Sequence, residues 1–344
     1  MSAAGDRAST PPTDHRPSRH ATDDQGRAAD GGPGRRSDGG PTSRAADGRS
    51  PGRPPEAGSL RRALTALRHD PPAVAGTVVL LVLLVVGLAG QWLAPAGIND
   101  VDVDQMLRPP SGAHPFGTDE LGRDVLSRVL VAARVSLQVG LVSVGIALAV
   151  GVTVGLLAGW YGGWADNILM RGMDVLFAFP VLLLAVAIVA VLGPGLVTAT
   201  TAIGVVYTPI FARVTRAGVL AVREQVFVRA AVSIGTSDLR ILRRHVLPNI
   251  AAPLIVQTSL SLAFAILSEA ALSFLGLGVQ PPAPAWGRML YDGRGFVTDA
   301  WWLGFFPGAA IFLTVLAFNL VGDALRDVLD PRQLTVSEAR RSTR

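Results

Sequence analysis

Glu269 is the one acidic residue that lies well inside a long apolar run of this chain, in the stretch SEAALSFLG. A charged carboxylate at the centre of a hydrocarbon layer costs about 2.5–3.5 kcal/mol on insertion scales, and less near a helix end, where Glu269 falls. Such a group either meets a solute in a cavity or hydrogen-bonds to a neighbouring helix or an adjoining loop. Other groups capable of chemistry are sparse. The five His residues stand at 15, 20, 69, 114 and 245, outside the apolar runs. There is no Cys, and all 31 basic residues are Arg. Neither HExxH nor GxSxG occurs, which excludes those two hydrolytic centres. A Walker A loop needs a Lys, so the chain cannot cradle ATP phosphates through one. With no thiolate and no imidazole inside an apolar run, the residues argue against direct metal handling. The residues imply no catalysis, no cofactor and no metal site.

Two polar clusters have spacing that suits a surface role. In GTDELGRD, the residues Gly117, Asp119, Gly122, Arg123 and Asp124 make a compact turn. It reads equally as a gate or contact surface, or as a loop whose Asp and Arg satisfy one another. The second cluster is RAAVSIGTSDLRILRRHVLPN, residues 229–249, basic and periodic between two apolar runs.

The elements that must position these groups are membrane helices. The chain is 344 residues long, 49% hydrophobic, with mean hydropathy +0.40. Six runs reach the roughly 20 residues that cross a hydrocarbon core of about 30 Å. They are Ala73–Leu93, about Val135–Ala158, about Val175–Leu192, about Val197–Ala217 with Pro209 inside, about Ile250–Phe274 and about Trp302–Leu320. Runs this long and continuous suit helices, not barrel strands, so the expected class is an all-α integral membrane protein. Residues 1–58, rich in Gly, Pro, Ser, Asp and Arg, lack the apolar surface to fold and are expected to be a disordered tail. The net charge of +5 is better read by position than as a nucleic-acid signal. Arg61, Arg62 and Arg68 precede the first run, which puts both termini and the 218–249 connection in the cytoplasm. Segments 95–134 and 275–301 then lie outside, the latter with GLGVQPPAP flanked by Trp286, Trp301 and Trp302 as expected interface anchors. Arg213 and Arg216 are expected to snorkel to lipid headgroups. Asp323, Arg326, Asp327, Asp330 and Arg332 are spaced to pair along the last helix.

Within 222–249 the spacing predicts a helix over Val222–Ile234, with Val226, Phe227, Ala230, Ala231 and Ile234 on one face. Gly235 supplies the left-handed residue that ends it. Thr236 or Ser237 can cap a second helix, with Asp238 in its first turn. Leu239, Leu242 and Val246 give that helix an apolar side, Pro248 stops it, and Asn249 can cap the next run. A helix lying on anionic lipid gains nothing from the Gly-Thr-Ser-Asp break. A rigid knob suits docking into a groove on a soluble partner.

This stretch resembles the coupling loop, or EAA motif, of ABC importer permeases, through Gly235 and the run Arg244-His245-Val246-Leu247-Pro248-Asn249. Where many members have Glu-Ala-Ala, this chain has Arg229-Ala230-Ala231, so the usual acidic contact is either absent or replaced by Glu224. HPFGTDELGRDVLSRVLVAARVSL, SEAALSFLGLGVQPPAPAWGRML and FNLVGDALRDVLDPR resemble the second permease of dipeptide, oligopeptide and nickel importers. The likeness covers roughly Leu60–Arg332 and implies the type I importer permease fold. By position the chain divides into a tail (1–58), a first span with its outer segment (59–133), a permease domain (134–325) with its coupling loop at about 222–249, and a cytoplasmic C-terminal tail (326–344). The resemblance implies a second related permease, two ATP-binding subunits and an extracytoplasmic solute-binding protein as partners, with membrane lipid around them. It implies that Glu224, Arg229, Ala230, Ala231, Gly235, Asp238, Arg244 and Pro248 serve coupling. Glu269, Asp119, Arg123 and Asp124 remain candidates for the pathway or an outer gate. A peptide is the first choice of solute and a nickel chelate the second. A self-sufficient secondary transporter would need intramembrane ionisable relays and internal repeats, for which Glu269 alone is thin support.

Because the chain has no native Cys, a single Cys at position 236 gives a clean test of the topology. An impermeant thiol reagent is expected to reach it only from the cytoplasmic side. Labelling from outside intact cells would overturn the assignment.

Overall fold

In the computed structural model, residues 70–329 are described, and the tail expected to be disordered lies outside them. The described residues are helical, with one isolated antiparallel bridge between Thr118 and Asp124. Helix α1 spans Pro71–Leu93 and α2 spans Val125–Tyr161. Helix α3 spans Gly163–Phe177, α4 Val181–Leu192 and α5 Leu196–Arg223. Two short helices follow, α6 over Val226–Ser233 and α7 over Asp238–Ile241. Then come α8 (Ala251–Phe274), α9 (Trp286–Gly293) and α10 (Trp302–Leu329).

Five helices, α1, α2, α5, α8 and α10, are long and apolar enough to cross a membrane. A sixth crossing exists only as a bent pair, α3 and α4, meeting at 90°. The expected continuous span over Val175–Leu192 is therefore corrected. Pro180 lacks the N–H that would continue the ladder and restricts the residue before it, so Phe179 leaves helical geometry and α4 starts afresh. The other five runs are helical as expected, though α5 ends at Arg223 and α10 at Leu329, beyond the expected Ala217 and Leu320. The second helix begins ten residues early, at Val125, because Asp124 caps it by accepting from Ser127 N at 2.7 Å.

The bundle is organised around the contact between α2 and α5. Gly151, Gly155 and Gly159 recur every fourth residue along one side of α2. An added Cβ would lie 2.6 Å from Phe211 Cβ at Gly151, 2.6 Å from Thr215 Cβ at Gly155 and 2.8 Å from Val219 Cβ at Gly159. Small residues at this spacing let two membrane helices approach to backbone contact, where dispersion supplies the attraction that lipid cannot. Further along, Ser143 Oγ donates to Thr200 O at 2.8 Å. The last rung is tied as well, since Arg223 Nη1 donates to Gly159 O at 2.9 Å. One core cluster joins α2, α4, α5 and α8 to the segment 226–250. A second, built on Trp286, Trp302, Val125 and Ala132, gathers the opposite end.

Gly155→Ala is expected to destabilise the protein by about 1–3 kcal/mol, because α5 backbone must move to admit the methyl. Gly145, on the same helix with nothing within 4 Å, should tolerate Ala or gain about 0.5–1 kcal/mol from helix propensity. Graded SDS unfolding of the two purified variants reads the difference. Equal midpoints would show that the close approach does not govern packing.

Candidate functional site

The segment leaving α5 forms a knob at the end of the bundle where α2 and α5 finish. Helix α5 runs to Arg223, Glu224 takes its C-cap, and α6 starts only at Val226. The expected single helix over Val222–Ile234 is thus two pieces. Gly235 has φ +75°, the left-handed turn expected of it. Its N–H donates to Val232 O at 2.9 Å, and Thr236 N donates to Ala231 O at 3.1 Å, which satisfies the last carbonyls of α6. Ser237 holds the N-cap position of α7, but its side chain makes no capping bond; Asp238 occupies the first turn.

Beyond Ile241 the chain widens into a π turn over Leu242–Val246 and closes with a helical turn, Leu247–Asn249. Pro248 therefore sits inside the helical path and does not stop it. Asn249 does not cap α8. Its Nδ2 donates to His245 O at 2.6 Å, and Ile250 makes the break.

The knob has a seated side and an open side. Val228, Ala231, Ile241, Leu242 and Val246 seat the knob against the bundle. Val226 (83% exposed), Ile234 (82%) and Leu239 (66%) point outward, with Phe227 at 44%. The periodic pattern grouped Val226, Phe227, Ala230, Ala231 and Ile234 on one face without giving its direction, and the structure divides that group, with Ala231 seated and Val226 and Ile234 open. Among the candidate coupling residues, Glu224, Arg229, Ala230, Gly235, Asp238, Arg244 and Pro248 are exposed, and Ala231 is buried. Trp160, Arg223, Glu224, Val228, Arg229 and Val232 line a shallow hollow at the root of the knob. Arg213 and Arg216, expected to snorkel, instead hold α3. Arg216 makes a bidentate pair with Asp166, both contacts 2.6 Å, and Arg213 meets Asp174 at 2.8 Å.

At the opposite end the candidate gate residues Asp119, Arg123 and Asp124 are buried, Asp119 with Arg123 in one polar cluster and Asp124 in another. Asp119 Oδ2 accepts from Arg123 Nε at 2.6 Å and lies 3.6 Å from Arg128 Nε. Its Oδ1 accepts from Leu121 N and Arg123 N, both at 2.9 Å. Arg123 Nη2 donates to Glu120 at 3.0 Å. Burial, and then the neighbouring Asp119 charge, push the Glu120 carboxyl above the usual range. Asp124 caps α2 through Oδ1 and meets His114 Nδ1 at 2.9 Å through Oδ2. Two tryptophans expected at the membrane interface are pegs in this end of the core. Trp302 Nε1 donates to Thr118 O and Trp286 Nε1 to Val129 O, each at 3.0 Å. Of the three, only Trp301 is exposed.

Glu269 is 1% exposed. Its Oε1 accepts from Ser273 Oγ at 2.7 Å and its Oε2 from Ser136 Oγ of α2 at 3.4 Å. Ser273 Oγ also accepts from Val279 N at 3.2 Å, which ties the 275–285 loop to α8. Among the described residues Asp323, Arg326 and Asp327 make no ion pair. Asp330 and Arg332 lie outside those residues. The glycine ladder and the acids Asp166 and Asp174 were missed from the sequence. The spacing of four in the ladder was the available signal; nothing local marks the acids as partners of Arg216 and Arg213.

Residues 151–335 match the family described as binding-protein-dependent transport system inner membrane component. Residues 59–110 match the N-terminal transmembrane domain of oligopeptide transport permease C. The chain is 46% identical over 266 residues to the probable D,D-dipeptide transport system permease protein DdpC of Escherichia coli K12, covering 77% of this chain and 89% of that protein. It is 47% identical to the di/tripeptide transport system permease protein DppC of Pseudomonas aeruginosa, covering 79% and 92%. It is 48% identical to the glutathione transport system permease protein GsiD of Shigella flexneri, covering 77% and 88%.

The two kinds of ion pair predict different costs. Asp119→Ala takes the carboxylate from buried Arg128 and leaves Arg123 with Glu120 alone, and is expected to cost about 3–5 kcal/mol. Asp174→Ala removes a half-exposed pair and is expected to cost less than about 1 kcal/mol. Thermal unfolding of the two variants in detergent should rank them so. A larger loss for Asp174→Ala would show that the Asp119 cluster is not what holds that end together.

Proposed function

Because the chain belongs to the family of binding-protein-dependent transport system inner membrane components, we propose that it is one permease of an ABC importer for di- and oligopeptides. It is a multi-pass inner-membrane protein. It forms half of a pathway completed by a second, related permease. Two separate ATP-binding subunits hydrolyse ATP, and a solute-binding protein delivers peptide from outside. Both termini and the knob face the cytoplasm. The chain itself transduces motion and performs no bond chemistry.

One observation supports this reading best. The knob is held firmly from behind by Val228, Ile241 and Val246 while Val226, Ile234 and Leu239 stand exposed among arginines. A seated knob with an apolar tip and a basic surround suits insertion into a cleft of a soluble subunit. Closure of two ATP-binding subunits then moves the knob as a body, and α5, continuous with it through Glu224, carries the motion into the membrane.

The test is Gly235→Val. A β-branched residue in the left-handed region costs about 1–2 kcal/mol. Open space around Gly235 means that the penalty comes from the backbone and not from a clash. The membrane helices should insert normally, while co-purification of the ATP-binding subunits and dipeptide uptake both fall. Retention of both at wild-type levels would remove the knob from the coupling path.

A further inference from the structure

The corner between α3 and α4 is not absorbed by the coupling reading. Helix α4 has 12 residues, about 18 Å of rise, against a hydrocarbon thickness of about 30 Å. Its far end connects to α5 through only Gly193, Pro194 and Gly195, and Ala185 and Val189 bury it in the common core. Its near end, at Val181, is therefore about 18 Å along the bundle from that turn, less than the hydrocarbon thickness.

The backbone at that depth is open. Among the described residues the N–H groups of Phe179, Val181, Leu182 and Leu183 make no hydrogen bond; the first bond of the new helix is Leu184 N to Pro180 O at 3.0 Å. Lipid cannot satisfy such groups. Broken backbone at membrane depth is tolerated only against protein or a water-filled cavity. Two flanking ion pairs favour water. The side chains of Arg213 and Asp174 are 40% and 56% exposed, and those of Arg216 and Asp166 are 35% and 18% exposed. Half-exposed charges beside the corner need hydration at the same level. Phe177 lies under the Arg213 guanidinium at 4.0 Å, and Phe179 is 55% exposed at the apex.

We propose that the Phe177–Val181 corner lines the water-filled translocation path and forms this chain's part of its constriction on the knob side, with Phe179 at the apex of the corner. The inference rests on the importer reading above. The two arginines that clamp α3 are on α5, and α5 reaches the knob seven residues after Arg216. Movement of the knob thereby displaces the corner, so nucleotide state sets whether the path is open there.

The experiment uses Phe179→Cys and Ala178→Cys in the assembled transporter, in membrane vesicles of both orientations. A membrane-impermeant maleimide is supplied from the knob side, and uptake of a radiolabelled dipeptide is measured alongside. Both positions should be modified without nucleotide, and modification should be lost when ATP and vanadate hold the ATP-binding subunits closed. The second variant carries the test if the first does not assemble. No modification in either state, or equal modification in both, in preparations that take up dipeptide would overturn the proposal while leaving the importer reading intact. Nucleotide-dependent modification without dipeptide uptake by wild type would support the corner and refute the peptide solute.

Discussion

Everything at the knob end hangs from the backbone contact between α2 and α5. At Gly151, Gly155 and Gly159 there is no room for a side chain, so the two helices cannot shift relative to each other without losing dispersion contacts along three turns. In lipid no hydrophobic effect pushes helices together, and close approach is the main attraction available. Arg223 closes the ladder by donating to the Gly159 carbonyl. That bond fixes where α5 ends, and hence where the knob begins and how it is aimed.

The opposite end relies on charge and hydrogen bonding. Asp119, Arg123, Arg128 and Asp124 are each below 9% exposure, yet each has partners, so burial is tolerated. Thr118 O and Val129 O receive the indole N–H groups of Trp302 and Trp286. These bonds join α9 to the start of α2 and α10 to the turn before it. Glu269 and Ser273 extend the same tie to the 275–285 loop. One end is thus held by the shape of small residues and the other by saturated polar groups.

Legibility in the sequence followed the range of the interaction. Helices α1 and α8 begin and end within two residues of their apolar runs, since crossing a membrane fixes run length. Gly235 was legible because left-handed geometry is a local demand. The faces of the knob were not. A helix apolar on two sides does not reveal which side is seated and which awaits a partner. The pairs Arg213–Asp174 and Arg216–Asp166 join residues 39 and 50 apart in sequence, beyond any periodic signal. The corner at Pro180 was hidden inside a run that averages as one span.

Helix α2 has 37 residues without a proline, a length of about 56 Å, nearly twice the hydrocarbon thickness. Its N-cap belongs to the polar network at one end of the bundle, and its last glycine meets the helix that bears the knob at the other. It is a stiff beam passing through both surfaces of the membrane. A beam has no internal joint at which movement can be absorbed, so a small tilt imposed at one end appears at the other with opposite sign. A tilt of α2 would thus link its two ends through leverage, with no chain of side-chain rearrangements needed between them.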